Sequence, residues 1–134
     1  MAIQLSTAVR NARLDAVEST TGTSARLLIF SGAQPANCAA ADPSGLLATL
    51  VLPSDWMNAA SAGAKTLLGS WTGTGSAAGN AASFRVKDSG LTTCHIQGSV
   101  TATGGGGDMT VDNVSIANGQ TINVTTFTLT DANS

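Results

Sequence analysis

Cys38, Cys94 and His95 are the side chains of this chain best suited to nucleophilic or metal-binding chemistry. A zinc-type site needs several soft donors at short spacings, and neither a CxxC nor an HxxxH pair occurs. A Cys–His couple needs both groups on one face, whereas neighbours in a strand point to opposite faces. The stretch TTCHIQGSVT over 92–101 alternates as a strand does, with Cys94, Ile96, Gly98 and Val100 on one side. His95, Gln97, Ser99 and Thr101 take the other. The pattern predicts a buried free thiol at Cys94 and an ordinary surface histidine at His95. A disulfide from Cys94 to the loop that holds Cys38 stays open, because spacing does not fix a Cα separation.

The other chemical motifs fall away on their spacing. No GxSxG elbow is present, and Gly63-Ala64-Lys65-Thr66 lacks the glycine that a phosphate-binding loop needs directly before its lysine. The acidic residues are scattered, with no pair placed as a glycosidase would require. Asp108 and Asp112 follow the glycine run 104–107, but the D-x-D-x-D-G calcium pattern is missing. Asn113 and Asn123 open glycosylation sequons in strand-like surroundings and read as coincidence. The expectation is therefore no catalytic residue, no cofactor and no metal. Trp56 and Trp71 are the largest side chains; core packing is the ordinary role, and an interface or sugar-stacking anchor the alternative.

The elements that would position these groups are mostly strands. Residues 6–20 form the one long helical candidate, with Ser6 as N-cap and Gly22 beyond its C-terminal end. Leu5, Val9, Ala12, Ala16 and Val17 follow helical spacing, with Leu14 widening the stripe, and predict the buried face. Asn11, Asp15, Glu18 and Ser19 are expected to face solvent. Arg13 sits inside the apolar arc, either snorkelling off its edge or meeting a partner chain. Apolar runs predict strands over 25–30, 46–52, 66–71 and 83–87, besides 92–101. A Pro-containing loop spans 31–45, Ser54 caps a helical turn over 54–57, and a Gly/Ala-rich hairpin loop spans 72–82. Asn118-Gly119 predicts a tight hairpin turn inside the segment 104–130. The three-residue step from Val124 to Phe127 breaks period two, so a bulge is expected at Thr125-Thr126.

Composition agrees with that reading. Ala (22), Thr (18), Gly (15) and Ser (14) make about half of the 134 residues, and only 10% are charged. Such a bias favours strands joined by tight turns. With a formal net charge of −2, no basic face can track phosphates, so nucleic acid is not an expected partner. No apolar run reaches the length of a bilayer span, and no secretory signal is visible, so synthesis in a cytoplasm is expected. The fold expected is mainly β, an antiparallel β-sandwich resembling a jelly roll, with one N-terminal helix. Residues 1–24 would form a helical arm and 25–134 a sandwich that closes its own core.

Three segments carry a resemblance: IQLSTAVRNARLDAVES, LPSDWM, and TTCHIQGSVTATGGGGDMTVDNVSIANGQTINVTTFTLTDAN. Together they span most of the chain and are similar to small structural proteins of tailed bacteriophages and prophages. The resemblance implies a virion component made in the host bacterial cytoplasm, foremost a capsid decoration or cement protein. Its partners would be the major capsid protein and further copies of itself. A tail- or fibre-associated module that binds a host surface is the alternative. In either case Leu5, Val9, Arg13, Val17 and Trp56 are the expected interface residues.

Overall fold

The computed structural model describes residues 3–131 and is mainly β, with one N-terminal helix and a strongly curled mixed sheet. The helix α1 (Thr7–Thr21) starts where Ser6 accepts a hydrogen bond from the Val9 N–H, and ends at Gly22, whose φ is 95°. Both caps are as the sequence predicts.

Strands β1 (Arg26–Phe30) and β2 (Leu46–Val51) pair antiparallel, and β1 also pairs β6 (Ser83–Lys87) on its other side. Because β1 is interior to the sheet, Leu27 to Phe30 are all buried, which is why it reads as an unbroken apolar run. The order continues β6, β7 (Cys94–Ala102), β8 (Met109–Val111), β10 (Thr121–Thr130) and β3 (Ala64–Thr66). The strand β4 (Thr72–Thr74) pairs the start of β10. The residues after it return to β2, where the Ser76 N–H donates to the Leu47 carbonyl at 2.7 Å and Ala48 bridges Gly75. The sheet thus curls until its ends meet. A short ribbon of β5 (Gly79–Asn80) and β9 (Ser115–Ile116) lies off this path.

The long strand β10 holds the curl, since β3, β4 and β8 all pair with it. Its register slips between Val124 and Thr126, leaving Thr125 as the extra residue expected from the Val124–Phe127 step. Ile122, Val124 and Phe127 then all reach the core. Trp56, Trp71, Phe127 and Phe84 form a chain of ring contacts through it, with centroids 5.8, 5.1 and 5.6 Å apart. The Trp71 indole N–H donates to the Trp56 carbonyl at 3.0 Å, so neither large ring carries an unsatisfied donor.

Several expectations are corrected. The sheet is not wholly antiparallel, because β7 and β8 run parallel through Val100↔Met109 to Ala102↔Val111. Parallel neighbours usually need a long crossover, yet only residues 103–108 intervene. The glycine run makes this possible. Gly104 and Gly106 take positive φ, and a Cβ on Gly105 or Gly107 would fall within 2.9 Å of Thr101. Asn118-Gly119 does turn, but only Gly119 has positive φ, and the Gln120 N–H donates to the Ala117 carbonyl. That is the pattern of a type II turn, which does not suit a two-residue hairpin, and β9 pairs β5 instead of β10. Residues 67–71 lie outside the strands, with β3 and β4 on either side, and 54–57 is a bend with no helical turn.

Candidate interaction site on the N-terminal helix

Helix α1 is docked by its polar side. Its outward side is the one made of small and apolar residues. Asn11, Asp15 and Glu18 recur at helical spacing and face residues 56–63, an irregular segment four of whose backbone N–H groups donate to them. Asn11 Oδ1 accepts from Gly63 N at 2.9 Å, and Asp15 Oδ1 from Ala60 N at 2.9 Å. Glu18 Oε2 accepts from both Trp56 N at 3.1 Å and Met57 N at 2.8 Å. Arg10 donates to the Asp131 carbonyl at 3.0 Å and closes the same side. The expected solvent face is therefore the docking face. Leu14 and Thr21 are the buried residues of α1.

Beneath these carboxylates lies Lys65, 2% exposed, on the short strand β3. Its ammonium meets Asp15 Oδ1 at 2.8 Å, Glu18 Oε1 at 3.1 Å and the Asn58 carbonyl at 3.0 Å, which satisfies all three protons. Burial pulls the Lys65 pKa down, but the hydrogen bonds that Lys65 donates to Asp15 and Glu18 outweigh it and hold the pKa above its ordinary value. The Lys65 contact, followed by the Ala60 N–H, holds the Asp15 carboxyl below its ordinary range. An open cleft of about 450 Å³ lies beside this cluster, between the end of α1 and residues 54–59. Asn11, Glu18 and Lys65 are engaged within the chain, as is one oxygen of the half-exposed Asp15, so the evident work of the cluster is to fasten the helix.

The expected interface residues separate into two groups. Val9 is 46% exposed and lies on the outward side with Ala12, Arg13, Ala16 and Thr20. Arg13 reaches Asp131 at 3.2 Å while its side chain stays 59% exposed. Val17, half-buried, flanks that side and lines a groove of about 270 Å³ with Arg13, Ala16, Thr20 and His95. Leu5, half-buried, precedes the helix. Trp56 does not belong with them: its side chain is fully buried, with the indole N–H on the Gly22 carbonyl at 3.0 Å. As an interface anchor it is corrected to a core residue.

Cys94 is also displaced from its expected place. The β6–β7 register slips between Val86 and Lys87, so Val86 faces Ile96 but Lys87 faces Cys94, skipping His95. The bulge turns Cys94 away from the Ile96 side and towards the 31–45 loop, and His95 comes to the groove beside α1. The signal that could have found the docking face was the recurrence of Asn11, Asp15 and Glu18 at i, i+4 and i+7. The alanines masked it, because alanine fits either side of a helix.

Among the described residues no helix is long and apolar enough to cross a membrane. Comparison with known protein families, with curated proteins and with solved structures finds no match for this chain.

Proposed function

We propose that this chain is a non-enzymatic structural protein of a tailed-phage virion, a capsid decoration or cement protein that binds between subunits of the major capsid protein as a homo-oligomer. The observation that carries the reading is the outward side of α1. A helix fastened by four polar residues turns Val9, Ala12 and Ala16 to the outside, with Arg13 among them. Small apolar residues around an arginine are an economical contact surface, since little side-chain entropy is lost on docking. The low charge of the chain suits a role in which contact area, more than ion pairing, holds the protein in place. A standard interface removes on the order of 1,600 Å² from water, and shell symmetry repeats it over many sites.

The resemblance of the sequence to phage structural proteins supports the placement in a virion made in the bacterial cytoplasm. We read the curled sheet as two layers over one core, the sandwich-like arrangement of the expected jelly roll, with the parallel β7–β8 pair as its departure. Nucleic acid and membrane are not partners in this proposal. The test is a stained gel of purified particles, with band intensities scaled to the major shell protein. A cement protein is present in amounts comparable to the shell protein. A band at a small fraction of the shell protein would overturn the head assignment and favour the tail- or fibre-associated module.

A further inference from the structure

Cys38 and Cys94 lie 56 positions apart in the chain, yet their sulfurs stand 2.7 Å apart, closer than two unbonded sulfurs ordinarily approach. The loop that carries Cys38 is held in place without help from sulfur. Arg85, buried on β6, donates through one guanidinium nitrogen to the Ala40 carbonyl at 2.9 Å and to Asp42 at 3.0 Å. Its other terminal nitrogen donates to the Asn37 carbonyl at 3.1 Å and to Gln97 Oε1 at 3.0 Å. The backbone is thus clamped on both sides of Cys38, and Lys87 adds a contact to Asp42 at 2.8 Å. On the opposite wall, the bulge at His95 is what turns Cys94 towards the loop. Two separate features therefore bring the thiols together, and a small polar cleft of about 240 Å³ leaves them open to a reagent.

We propose that Cys38 and Cys94 are a disulfide-forming pair that locks the 31–45 loop onto β7 when the protein meets a small-molecule disulfide oxidant. The reaction is two thiol–disulfide exchanges. The Cys38 thiolate attacks one sulfur of the oxidant, forms a mixed disulfide and expels one thiolate. Cys94 then gives up its proton, attacks the Cys38 sulfur and expels the second. The protein loses two hydrogens and two electrons, and one oxidant molecule becomes two thiols. The order follows from the site. Burial, and then the neighbouring Cys38, push the Cys94 thiol up to about 12, so Cys94 stays protonated while Cys38 makes the first attack. In a reducing cytoplasm the pair stays as dithiol, and outside the cell it closes. The inference rests on the loop and β7 alone and is independent of the virion reading.

The experiment incubates the purified full chain with oxidised glutathione, blocks remaining thiols, and digests it with trypsin without reductant. Arginine and lysine positions place Cys38 in the peptide 27–65 and Cys94 in 88–134. The expected result is a joined 27–65/88–134 species lighter by two hydrogens, with no glutathione retained. Oxidation should also raise Tm by roughly 10 °C, since the closed loop is long. Reductant, Cys38→Ser or Cys94→Ser should each abolish that rise. Stable glutathione adducts without the joined peptides, full alkylation of both thiols, or a cross-link that leaves Tm unchanged would each overturn the proposal.

Discussion

Lys65 and Glu18 stand 3.1 Å apart beneath α1, and the same carboxylate caps the backbone N–H groups of Trp56 and Met57. One side chain thus joins helix, loop and strand. Removing it leaves two buried donors and a buried ammonium short of acceptors. Glu18→Ala should cost about 3–4 kcal/mol, near the upper end for a single polar deletion. Lys65→Met should cost less, about 1–2 kcal/mol, because its partners are partly hydrated and an apolar chain of similar volume fills the space. Urea midpoints measure both. A Glu18→Ala midpoint close to the parent's would show that the capping contributes little.

The pH dependence follows from the same charges. Lys65 holds Asp15 below the usual carboxylate range; at Asp42 burial works the other way, but Lys87 and Arg85 prevail. A depressed carboxylate stabilises the fold above its unfolded pKa of about 4, and that contribution is lost as pH falls through the folded value. Lys65 is raised, so its contribution is complete below the unfolded pKa of about 10.4 and is lost as pH rises through the folded value. Tm should therefore be flat across neutrality and fall at both extremes. Asp42→Asn should make the acid limb shallower, and Lys65→Met should do the same to the alkaline limb. A Tm that varies steadily through neutrality would contradict the assignment.

What could be read from the sequence was what local chemistry decides. Ser6 and Gly22 bound the helix because capping depends on a few adjacent residues. The slip at Thr125 is visible because Val124 and Phe127 must reach the same core. The parallel β7–β8 pair could not be read, since alternation is the same for either strand direction and only the glycine run hints at a tight return. Cys94 was misplaced because the bulge at His95 interrupts a pattern that looks unbroken. Helix orientation failed for a related reason: with Ala12 and Ala16 neutral, the three acceptors at Asn11, Asp15 and Glu18 decide the face, and hydropathy gives them the wrong sign.

Gly98 tests the packing of β7. A Cβ there would lie 2.7 Å from the Phe84 ring and 2.9 Å from Asp108. Phe84 is buried edge-on against Phe127 and has nowhere to move. Gly98→Ala should destabilise by about 1–3 kcal/mol through overpacking. Gly119→Ala meets no atom within 4 Å and should cost only about 1 kcal/mol, from the positive φ. Equal thermal shifts for the two variants would show that Gly98 is not sterically required.

A chain that begins at residue 25 loses every acceptor supplied by α1. The N–H groups of Trp56, Met57, Ala60 and Gly63 would need water, and Lys65 would keep only the Asn58 carbonyl. The indole N–H of Trp56 would lose Gly22 as well. The truncated protein should show strand content by circular dichroism but a broad thermal transition and dye binding typical of loosened packing. A sharp transition near that of the full chain would show that the sheet closes its core unaided.

Substitutions on the outward side of α1 separate folding from assembly, which truncation cannot do. Val9 and Ala16 are exposed and lie outside the buried core cluster, so Val9→Asp and Ala16→Asp should change stability by less than about 0.5 kcal/mol. Val17 is less suitable, because it is half-buried and a carboxylate there would also disturb the docking side. If the outward side is the contact surface, each new carboxylate must be desolvated without a partner on binding, at a cost of several kcal/mol. Occupancy on purified particles should then fall by at least tenfold while the melting curve stays that of the parent. Arg13→Ala should weaken binding less, since Asp131 already holds part of its charge. The measurements are co-sedimentation with particles lacking the protein, beside thermal melts of each variant. Folded Val9→Asp and Ala16→Asp proteins that still load to parental occupancy would remove α1 from the contact and move the search to another face.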